Sequence, residues 1–455
     1  MGIHGLMNFF KNCIKEREAN NYNDTQIVVD ASLLIYRYAV AIRKNGTDMC
    51  NSNGKSINHL HAIMTFTLFL LRIGISPTYV FDGKAPDLKK ITLDKRSKNI
   101  RRALDNIDPN DTKSNEYIQN FKKSYSLTGI EVKECMELLD HMGISYVRAK
   151  GEADSYCAAL SNTENIYGVI SNDSDLLVFG AKILLKNFSG NKIIEEICLN
   201  DIYDYMRFKA NEIRINNKMI LIKNVIHENF IDFSILLGSD YAPHIKGFTP
   251  EELYEYFVIS EFDIERTVDN LHNHINNVNN KNDYEIPNDF LKKAQEVKEY
   301  YLHAQYIRPI IINKSFSKPN KEKLIEFLCN KNYIDQIYVS EYVTELESLY
   351  HSIIAFGNRK NDNNFQSFRG YQWKYYKSMY NSNNNINKNI NNNDPKFMTP
   401  QFKLSLSPKG IPIKSPNNNY RQRCSKRNLC NDNKQSRYVL DLNNNRFASL
   451  AHCDT

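Results

Sequence analysis

Aspartate ends three short apolar runs of this chain, and this pattern predicts a site for divalent cations. The runs close on Asp30, Asp82 and Asp173. Short β-branched runs are typical of buried strands in a parallel sheet, and ligands bind beyond the carboxyl ends of such strands. Acids gathered at one edge are costly unless cations hold them, and hard oxygen ligands suit Mg²⁺ or Mn²⁺. The pattern therefore indicates a metal-dependent enzyme that acts on phosphate.

Four further acids stand at predicted element ends and bring the set to seven. Glu152 and Asp154 lie at a predicted helix N-terminus, where the dipole favours anions, so simple capping explains that pair equally well. Asp175 follows Asp173 by two residues, and the two share one face if the strand continues. Asp240 lies between two helical patterns. Seven carboxylates suffice for two divalent ions, which at about 3.5–4 Å apart clamp the attacking and leaving oxygens of a displacement at phosphorus.

Strand and helix patterns alternate through the first 82 residues and return between 131 and 200. A strand pattern ends at Asp30, helical patterns follow at 31–43 and 59–73, and the next strand pattern covers 78–82. Such a unit implies a right-handed crossover and a parallel sheet. The predicted fold class is therefore α/β, with a mostly parallel central sheet flanked by helices.

The segment 83–130 differs in character because it is strongly basic and has no strand-like run. Its cations include Lys89 and Arg96. A solvated helical hairpin is the ordinary interpretation of such a charge run. Because the segment directly follows an acid-tipped strand, a mobile basic element over the site is at least as good an interpretation. Basic side chains beside bound metals steady the charge of a phosphodiester in the transition state.

The remaining divisions follow from composition. We predict an N-terminal region at 1–100, an internal region at 131–260 with two helical patterns joined by a turn at 226–260, a helical part at 261–355, and a low-complexity tail at 356–455. The asparagine runs of the tail predict disorder, since they cannot bury enough apolar surface to offset ordering entropy.

Composition excludes several protein classes. The 455 residues carry a net charge of +7, and the nine cysteines form no C-x-x-C pair. We therefore expect no zinc site, and we expect a reducing compartment. The first residues do not form a signal peptide, and no apolar stretch is long enough to span a bilayer. We therefore expect a soluble intracellular protein with no membrane partner.

Six blocks of the chain together resemble the flap endonucleases among the XPG-type structure-specific nucleases. They lie at 1–6, 30–36, 80–86, 151–159, 172–180 and 236–241. Each block alone is weak evidence, but all of them occur in family order and at similar spacing over about residues 1–350, which is highly specific.

The resemblance implies roles for individual residues. The first Mg²⁺ would be held by Asp30, Asp82, Glu152 and Asp154, and the second by Asp173, Asp175 and Asp240, with Mn²⁺ able to substitute. Lys89 and Arg96 match the catalytic lysine and arginine at the base of the family's helical arch, here 83–130. Tyr36 matches the residue that stacks on the base beside the scissile phosphate. DNA contact is also implied for Gly2, Arg43, Glu152, Gly238, Asp240, Lys246 and Gly247.

The chain departs from the family pattern at several places. The resemblance implies that 226–260 is a helix–turn–helix that grips the duplex backbone, and its Gly-x-Gly-Pro turn here has Thr249 in place of the second glycine, with two glutamates after Pro250. The spacing between Asp175 and Asp240 suggests an insertion around 211–223. No clean sliding-clamp box is present, so clamp binding is not expected. A basic stretch at 421–427 is equally well explained as a nuclear import signal or as a basic spot in a disordered tail.

The leading hypothesis is a monomeric, nuclear, Mg²⁺-dependent 5′-flap endonuclease and 5′→3′ exonuclease of DNA replication and repair. Its substrate is DNA with a 5′ single-stranded flap or a junction. An alternative is a catalytically silent protein that binds DNA structures, although retention of all seven acids and both arch cations argues against it. A phosphatase or receiver-type phosphotransfer protein shares acids at strand ends, but it explains neither the basic segment nor Tyr36.

Overall fold

A computed structural model describes residues 2–108, 110–188, 193–215, 218–219, 224–278, 283–310 and 316–358. The suggested insertion at 211–223 lies partly outside the described residues, and the tail lies outside them from residue 359 onward. No helix in the described ranges is long and apolar enough to cross a membrane.

The described strands and helices are as follows. The strands are β1 Ile14–Glu18, β2 Gln26–Asp30, β3 Ser76–Phe81, β4 Tyr146–Arg148, β5 Ile166–Ile170, β6 Ile183–Lys186, β7 Ile193–Cys198, β8 Arg214–Ile215 and β9 Lys218–Met219. The α-helices are α1 Leu6–Phe9, α2 Ala31–Ile42, α3 Asn58–Arg72, α4 Lys90–Asp105, α5 Asn115–Lys123, α6 Gly129–Met142, α7 Ala153–Ser161, α8 Asp175–Val178, α9 Leu199–Glu212, α10 His227–Leu237, α11 Pro250–Ile259, α12 Ile264–Asn277, α13 Phe290–Ala304, α14 Lys321–Ile325 and α15 Gln336–Asn358. Helix α14 continues as a π-helical segment at Glu326–Lys331, and short 3₁₀ turns lie at Lys11–Cys13, Ala19–Tyr22, Arg43–Asn45 and Asp87–Lys89.

Seven of the described strands form one sheet in the order β1-β7-β6-β5-β2-β3-β4. The five strands from β6 to β4 run parallel, while β7 and β1 join antiparallel at the far edge. In the central register, Val29 pairs with Tyr79 of β3 on one side and with Ile170 of β5 on the other. The predicted α/β class with a mostly parallel sheet is confirmed.

The sheet is buried on both faces because its central strands are apolar at successive positions. Ile27 and Val29 face one core, which α2, α3, α6 and α15 cover. Val28 faces the other core, together with Val80, and α7, α10 and α13 cover it. Continuous apolar runs are what a doubly covered parallel sheet requires. The two layers of helices hold the carboxyl ends of β2, β3 and β5 side by side.

The basic segment contains two helices and no strand among its described residues. Helix α4 follows the turn at Asp87–Lys89, and α5 begins at the cap residue Ser114, whose hydroxyl accepts a hydrogen bond from the Tyr117 amide at 3.0 Å. The side-chain amide of Asn120 donates to the Asn106 carbonyl at 3.3 Å and joins the two helices. We refer to residues 83–130 as the helical arch.

Candidate active site

Three predicted acids meet at one edge of the sheet because their strands are parallel neighbours. Asp30 is the last residue of β2, Asp82 follows β3, and Asp173 lies just beyond β5. Asp30 also caps α2, since its Oδ1 accepts a hydrogen bond from the Leu33 amide at 3.1 Å. Its other oxygen, Oδ2, accepts from the Ser171 hydroxyl at 3.3 Å. We call the seven predicted carboxylates the acidic rim.

The strand predicted to end at Asp173 ends earlier, so Asp173 and Asp175 do not share a strand face. Strand β5 ends at Ile170, Asp173 lies in a turn, and Asp175 begins the short helix α8. The Asp175 amide donates to Asp173 Oδ1 at 3.2 Å, and the Asp173 amide donates to the Ser171 hydroxyl at 3.2 Å. Short polar side chains that bond to nearby backbone favour turns over strands. The two acids therefore reach the rim from a turn and a helix start.

Glu152 is not a simple helix cap. The first turn of α7 is capped from outside, because the Ala153 amide donates to Asp82 Oδ1 at 2.8 Å, while Glu152 makes no capping bond. Its carboxylate instead forms an ion pair with Lys89 and accepts hydrogen bonds from the hydroxyls of Tyr241 at 2.6 Å and Tyr300 at 2.9 Å. The side chain is thus held in one place by three donors from three separate elements.

Burial and neighbouring charge make four acids of the rim costly to ionise, namely Asp30, Asp154, Asp173 and Asp175. Burial, and then the charge of Asp82, raise the pKa of Asp30 to about 7. Burial raises the pKa of Asp173, and burial followed by neighbouring carboxylates raises the pKa values of Asp154 and Asp175. Opposite charge nearby would favour the ionised forms. The rim therefore has the electrostatics of a site that receives cations.

The donor set also fits a hard cation. Asp175 Oδ1 is buried and has no hydrogen-bond partner in the described residues, and an unpaired buried oxygen of this kind is costly without a counter-charge. In the described residues, no group of three or more His, Cys, Asp or Glu side chains is arranged so that it could hold a metal ion. Glu152 and Asp240 are instead turned toward Lys89 and Arg96. In this arrangement the arch supplies the counter-charge of the rim.

The helical arch has two legs, the first being the turn at Asp87–Lys89 with α4 and the second being α5. Lys89 and Arg96 bring the first leg onto the rim. Burial alone would lower the pKa of the Lys89 ammonium, but the charges of Glu152 and Asp154 more than offset it, so the pKa is raised. Lys89 Nζ also lies 5.0 Å from the ring centroid of Tyr241. Arg96 pairs with the Asp240 carboxylate. The structure thus brings both predicted cations to the predicted acids.

Tyr36 and Arg43 lie beside the part of the arch that contains α5 and Tyr125. The ring of Tyr36, which is 39% exposed, lies 6.1 Å from the ring of Tyr125. The Arg43 side chain is only 12% exposed and forms a two-point ion pair with Asp48. Tyr36 is therefore accessible to a base, whereas the structure gives Arg43 partners inside the protein.

Gly2 lies against Ser174 and the rim acid Asp173, and Gly238, two residues before Asp240 in the chain, lies against His244. A Cβ at Gly2 would lie 2.4 Å from the Ser174 hydroxyl and 3.2 Å from Asp173 Oδ1. Gly238 has a φ of 85°, and a Cβ there would meet His244 Cα at 2.7 Å. Both positions accept only glycine without displacing a neighbour.

Lys246 and Gly247 lie in the turn before α11 rather than at the rim. Lys246 Nζ pairs with Glu285 at 2.5 Å, with both side chains more than 60% exposed. At the helix start the Glu252 amide donates to the Thr249 hydroxyl at 3.2 Å, and the Thr249 amide donates to Glu252 Oε2 at 2.8 Å. Thr249 therefore completes a capping box where the family has a second glycine. The first turn of α11 has its own acids, Glu251 and Glu252.

Sequence reasoning missed Tyr300, Tyr241 and Ser171 as site residues. Tyr241 lies inside a recognised block, and Ser171 lies in the predicted strand that ends at Asp173, so position along the chain was the available signal for both. Tyr300 lies on α13 and gave no signal, because its hydrogen bond to Glu152 spans 148 residues.

Family models match both halves of the site. The XPG N-terminal domain matches residues 1–103, and the XPG I-region matches residues 143–240. Flap endonuclease 1-B of Xenopus laevis is 32% identical over 346 residues, covering 74% of this chain and 83% of that protein. Flap endonuclease 1 of Homo sapiens is 30% identical over 356 residues, covering 76% and 86%.

Solved structures share the fold at lower identity. Flap endonuclease-1 from Methanococcus jannaschii has a TM-score of 0.51 at 21% identity, covering 75% of this chain and 98% of its own. Human GEN1 in complex with Holliday junction DNA has a TM-score of 0.52 at 17% identity, covering 80% and 82%. The matched sequence blocks, the acidic rim and the fold agree. The chain is a member of the XPG family of structure-specific nucleases.

Proposed function

We propose that this member is a Mg²⁺-dependent endonuclease that cuts DNA at 5′ single-stranded flaps, with 5′→3′ exonuclease activity, in replication and repair in the nucleus. One observation carries the proposal: the arch cations Lys89 and Arg96 pair directly with the rim acids Glu152 and Asp240. A basic helical element that meets carboxylates at the sheet edge can hold a phosphodiester strand against bound cations. The flap endonucleases that match over most of this chain support the choice of substrate.

In this mechanism the rim would hold two Mg²⁺ ions. Asp30, Asp82, Glu152 and Asp154 would hold one, and Asp173, Asp175 and Asp240 would hold the other. When bound, Mg²⁺ would lower the pKa of a bound water and offset charge on the leaving oxygen. Mn²⁺ has the same preference for oxygen ligands and can substitute.

The chain's own cations stabilise charge that develops on the phosphate. Because the pKa of Lys89 is raised, its ammonium stays protonated at neutral pH and acts as a fixed charge rather than as a base. Arg96 presents a planar fork that suits two phosphate oxygens. Preorganised charge in a buried site acts at the transition state without a reorganisation cost. Both residues lie where a strand passing beneath the arch would meet the rim.

Tyr36 positions the substrate in this proposal. Its partly exposed ring offers a stacking surface beside the arch, and base–aromatic stacking is worth about 1–3 kcal/mol and tolerates any base. A nuclease that selects structure rather than sequence needs a contact of this kind. Lys246, exposed in the turn before α11, is the corresponding phosphate contact for the duplex.

The test is cleavage of a labelled 5′-flap DNA, a nicked duplex and a four-way junction by one preparation. We expect cutting near the flap junction in Mg²⁺ and none in EDTA. Asp173→Asn should reduce the rate at least a thousandfold while keeping flap binding, and the surface control Asp204→Asn should cut normally. Faster cutting of the four-way junction than of the flap would contradict the substrate proposal, and normal cutting by Asp173→Asn would contradict the metal assignment.

A further inference from the structure

We infer that Arg43 is a positioning residue that fixes the second leg of the helical arch, and that it does not bind DNA. The inference deepens the proposed function, and its effect on cutting rests on that function. The claim that Arg43 holds the second leg in place concerns the DNA-free protein alone. The first leg of the arch is held to the rim by Lys89 and Arg96, so the second leg needs an anchor of its own.

The Arg43 guanidinium is held by a carboxylate from the same loop. Its Nε donates to Asp48 Oδ1 at 2.6 Å, and its Nη2 donates to Asp48 Oδ2 at 3.0 Å. Two-point pairs of this kind combine charge with fixed geometry. Asp48 is itself fixed, because the side-chain amide of Asn58 at the start of α3 donates to Asp48 Oδ1 at 2.6 Å. The pair is therefore tied to the buried helix α3.

The other side of the guanidinium holds the C-terminal end of α5. Its Nη1 donates to the Phe121 carbonyl at 2.9 Å and to the Ser124 hydroxyl at 3.3 Å. The last carbonyls of a helix lack partners within it, and a cation there also complements the helix dipole. Arg43 therefore caps α5 from a different part of the fold, 78 residues away in sequence.

Two aromatic rings enclose the same guanidinium. It lies 4.4 Å from the ring centroid of Phe121 and 4.8 Å from that of Tyr125. Tyr117 stacks on Phe121 at 5.7 Å with an interplanar angle of 8°. Tyr125 in turn contacts Tyr36. The anchor thus continues without a break from Asp48 to the ring proposed to stack on a DNA base.

This arrangement leaves Arg43 little capacity for DNA. A guanidinium has five N–H donors, and its three nitrogens all donate to Asp48, Phe121 or Ser124. A phosphate would have to displace a buried carboxylate. Lys246, by contrast, is 61% exposed. The geometry assigns Arg43 to the arch and leaves exposed cations for the phosphate.

Hydrogen exchange on the DNA-free protein tests the anchor directly. We expect Arg43→Lys and Asp48→Asn to speed amide exchange in residues 115–125 about tenfold or more, because lysine cannot form the fork and asparagine loses the charge. Exchange in β2 should stay unchanged, which shows that the fold persists. The matched control is Arg72→Lys, since Arg72 forms a similar two-point pair with Glu345 at 2.6 and 2.7 Å away from the arch.

Flap binding and cutting separate the anchor from a DNA contact. If Arg43 positions the arch, both variants cut about tenfold slower at saturating flap DNA, and the slope of log Kd against log salt stays that of the unmodified protein. If Arg43 binds a phosphate, Arg43→Lys keeps most of the affinity, Arg43→Met lowers the slope by about one, and Asp48→Asn does no harm. That second pattern, or unchanged exchange at 115–125, overturns the inference. Should the unmodified protein fail to cut any flap, the proposed function fails while the exchange result still decides the anchor.

Discussion

Tyr300→Phe tests whether α13 takes part in the active site. The substitution removes only a hydroxyl, which donates to Glu152 Oε2 at 2.9 Å, and keeps the ring that packs against Phe179 and Tyr241 at 5.7 and 5.3 Å. The backbone of α13 and the apolar core beneath it are unaffected. Any change in activity therefore reports the loss of one hydrogen bond to a rim carboxylate.

The magnitude follows from the number of donors on Glu152. A hydrogen bond to a charged group is worth about 1.5–3 kcal/mol, but Tyr241 donates to the same oxygen at 2.6 Å and Lys89 pairs with the other. The remaining donors hold part of the geometry, so we expect a loss of about 1–2 kcal/mol. At about 1.4 kcal/mol for each factor of ten, the rate should fall about 5- to 30-fold.

The assay is single-turnover flap cleavage over a range of Mg²⁺ concentrations. We expect the deficit of Tyr300→Phe to shrink as Mg²⁺ rises, because a less well-oriented carboxylate mainly weakens ion binding. The matched control is Tyr301→Phe, since in the described residues the neighbouring hydroxyl donates to Ser239 at 3.4 Å and not to a rim acid. The reasoning is refuted if Tyr300→Phe cuts at the unmodified rate throughout, or if Tyr301→Phe is equally slow.

Three further predictions concern stability. The folded pKa of Asp30 is raised to about 7, so its ionisation destabilises the fold increasingly from about pH 4 to pH 7. Asp30→Asn should therefore raise the free energy of unfolding in EDTA by about 2–4 kcal/mol at pH 8. At pH 4 it should have almost no effect, and urea unfolding at the two pH values measures both. Thr249→Val removes the side-chain cap of α11 and should lower the free energy of unfolding by about 1 kcal/mol in the same assay. Raising the pH should not restore the lost stability. Burial alone would raise the pKa of Glu134, but the bonds to His59 at 2.7 Å and to Lys55 at 2.5 Å together more than offset this and lower the pKa to about 2. Its stabilisation is thus present above about pH 4.5 and lost toward pH 2, so Glu134→Gln should cost about 1–3 kcal/mol at pH 7 and nearly nothing at pH 2.

Local patterns were enough to predict the acids that end strands and the cations that start the arch. Asp30 and Asp82 follow apolar runs whose burial on both faces is visible in sequence, and Lys89 lies a few residues further on. The strand predicted to end at Asp173 ends three residues earlier, at Ile170, because the turn that follows is stabilised by bonds between side chains and nearby backbone.

Contacts between distant segments could not be predicted from local patterns. Tyr300 belongs to a helix whose spacing shows only a buried stripe, and nothing in that stripe points to a carboxylate 148 residues earlier. Arg43 matched a DNA-contacting position by resemblance, but its partners on α5 are set by how the arch folds back over α2. Packing, rather than propensity, decides what such side chains do.

In the proposed function, helix α10 sets the distance between the acidic rim and the turn before α11. Its residues from Phe230 to Leu237 are almost fully buried, and its C-terminal end leads to Asp240 at the rim and then to the turn before α11. The His4 amide fixes this end by donating to the Gly238 carbonyl at 3.0 Å. A duplex held near α11 would therefore stand at a constant distance from the rim, counted in nucleotides. The packing of one buried helix would therefore fix the position of the cut, and no contact that recognises base sequence would be needed.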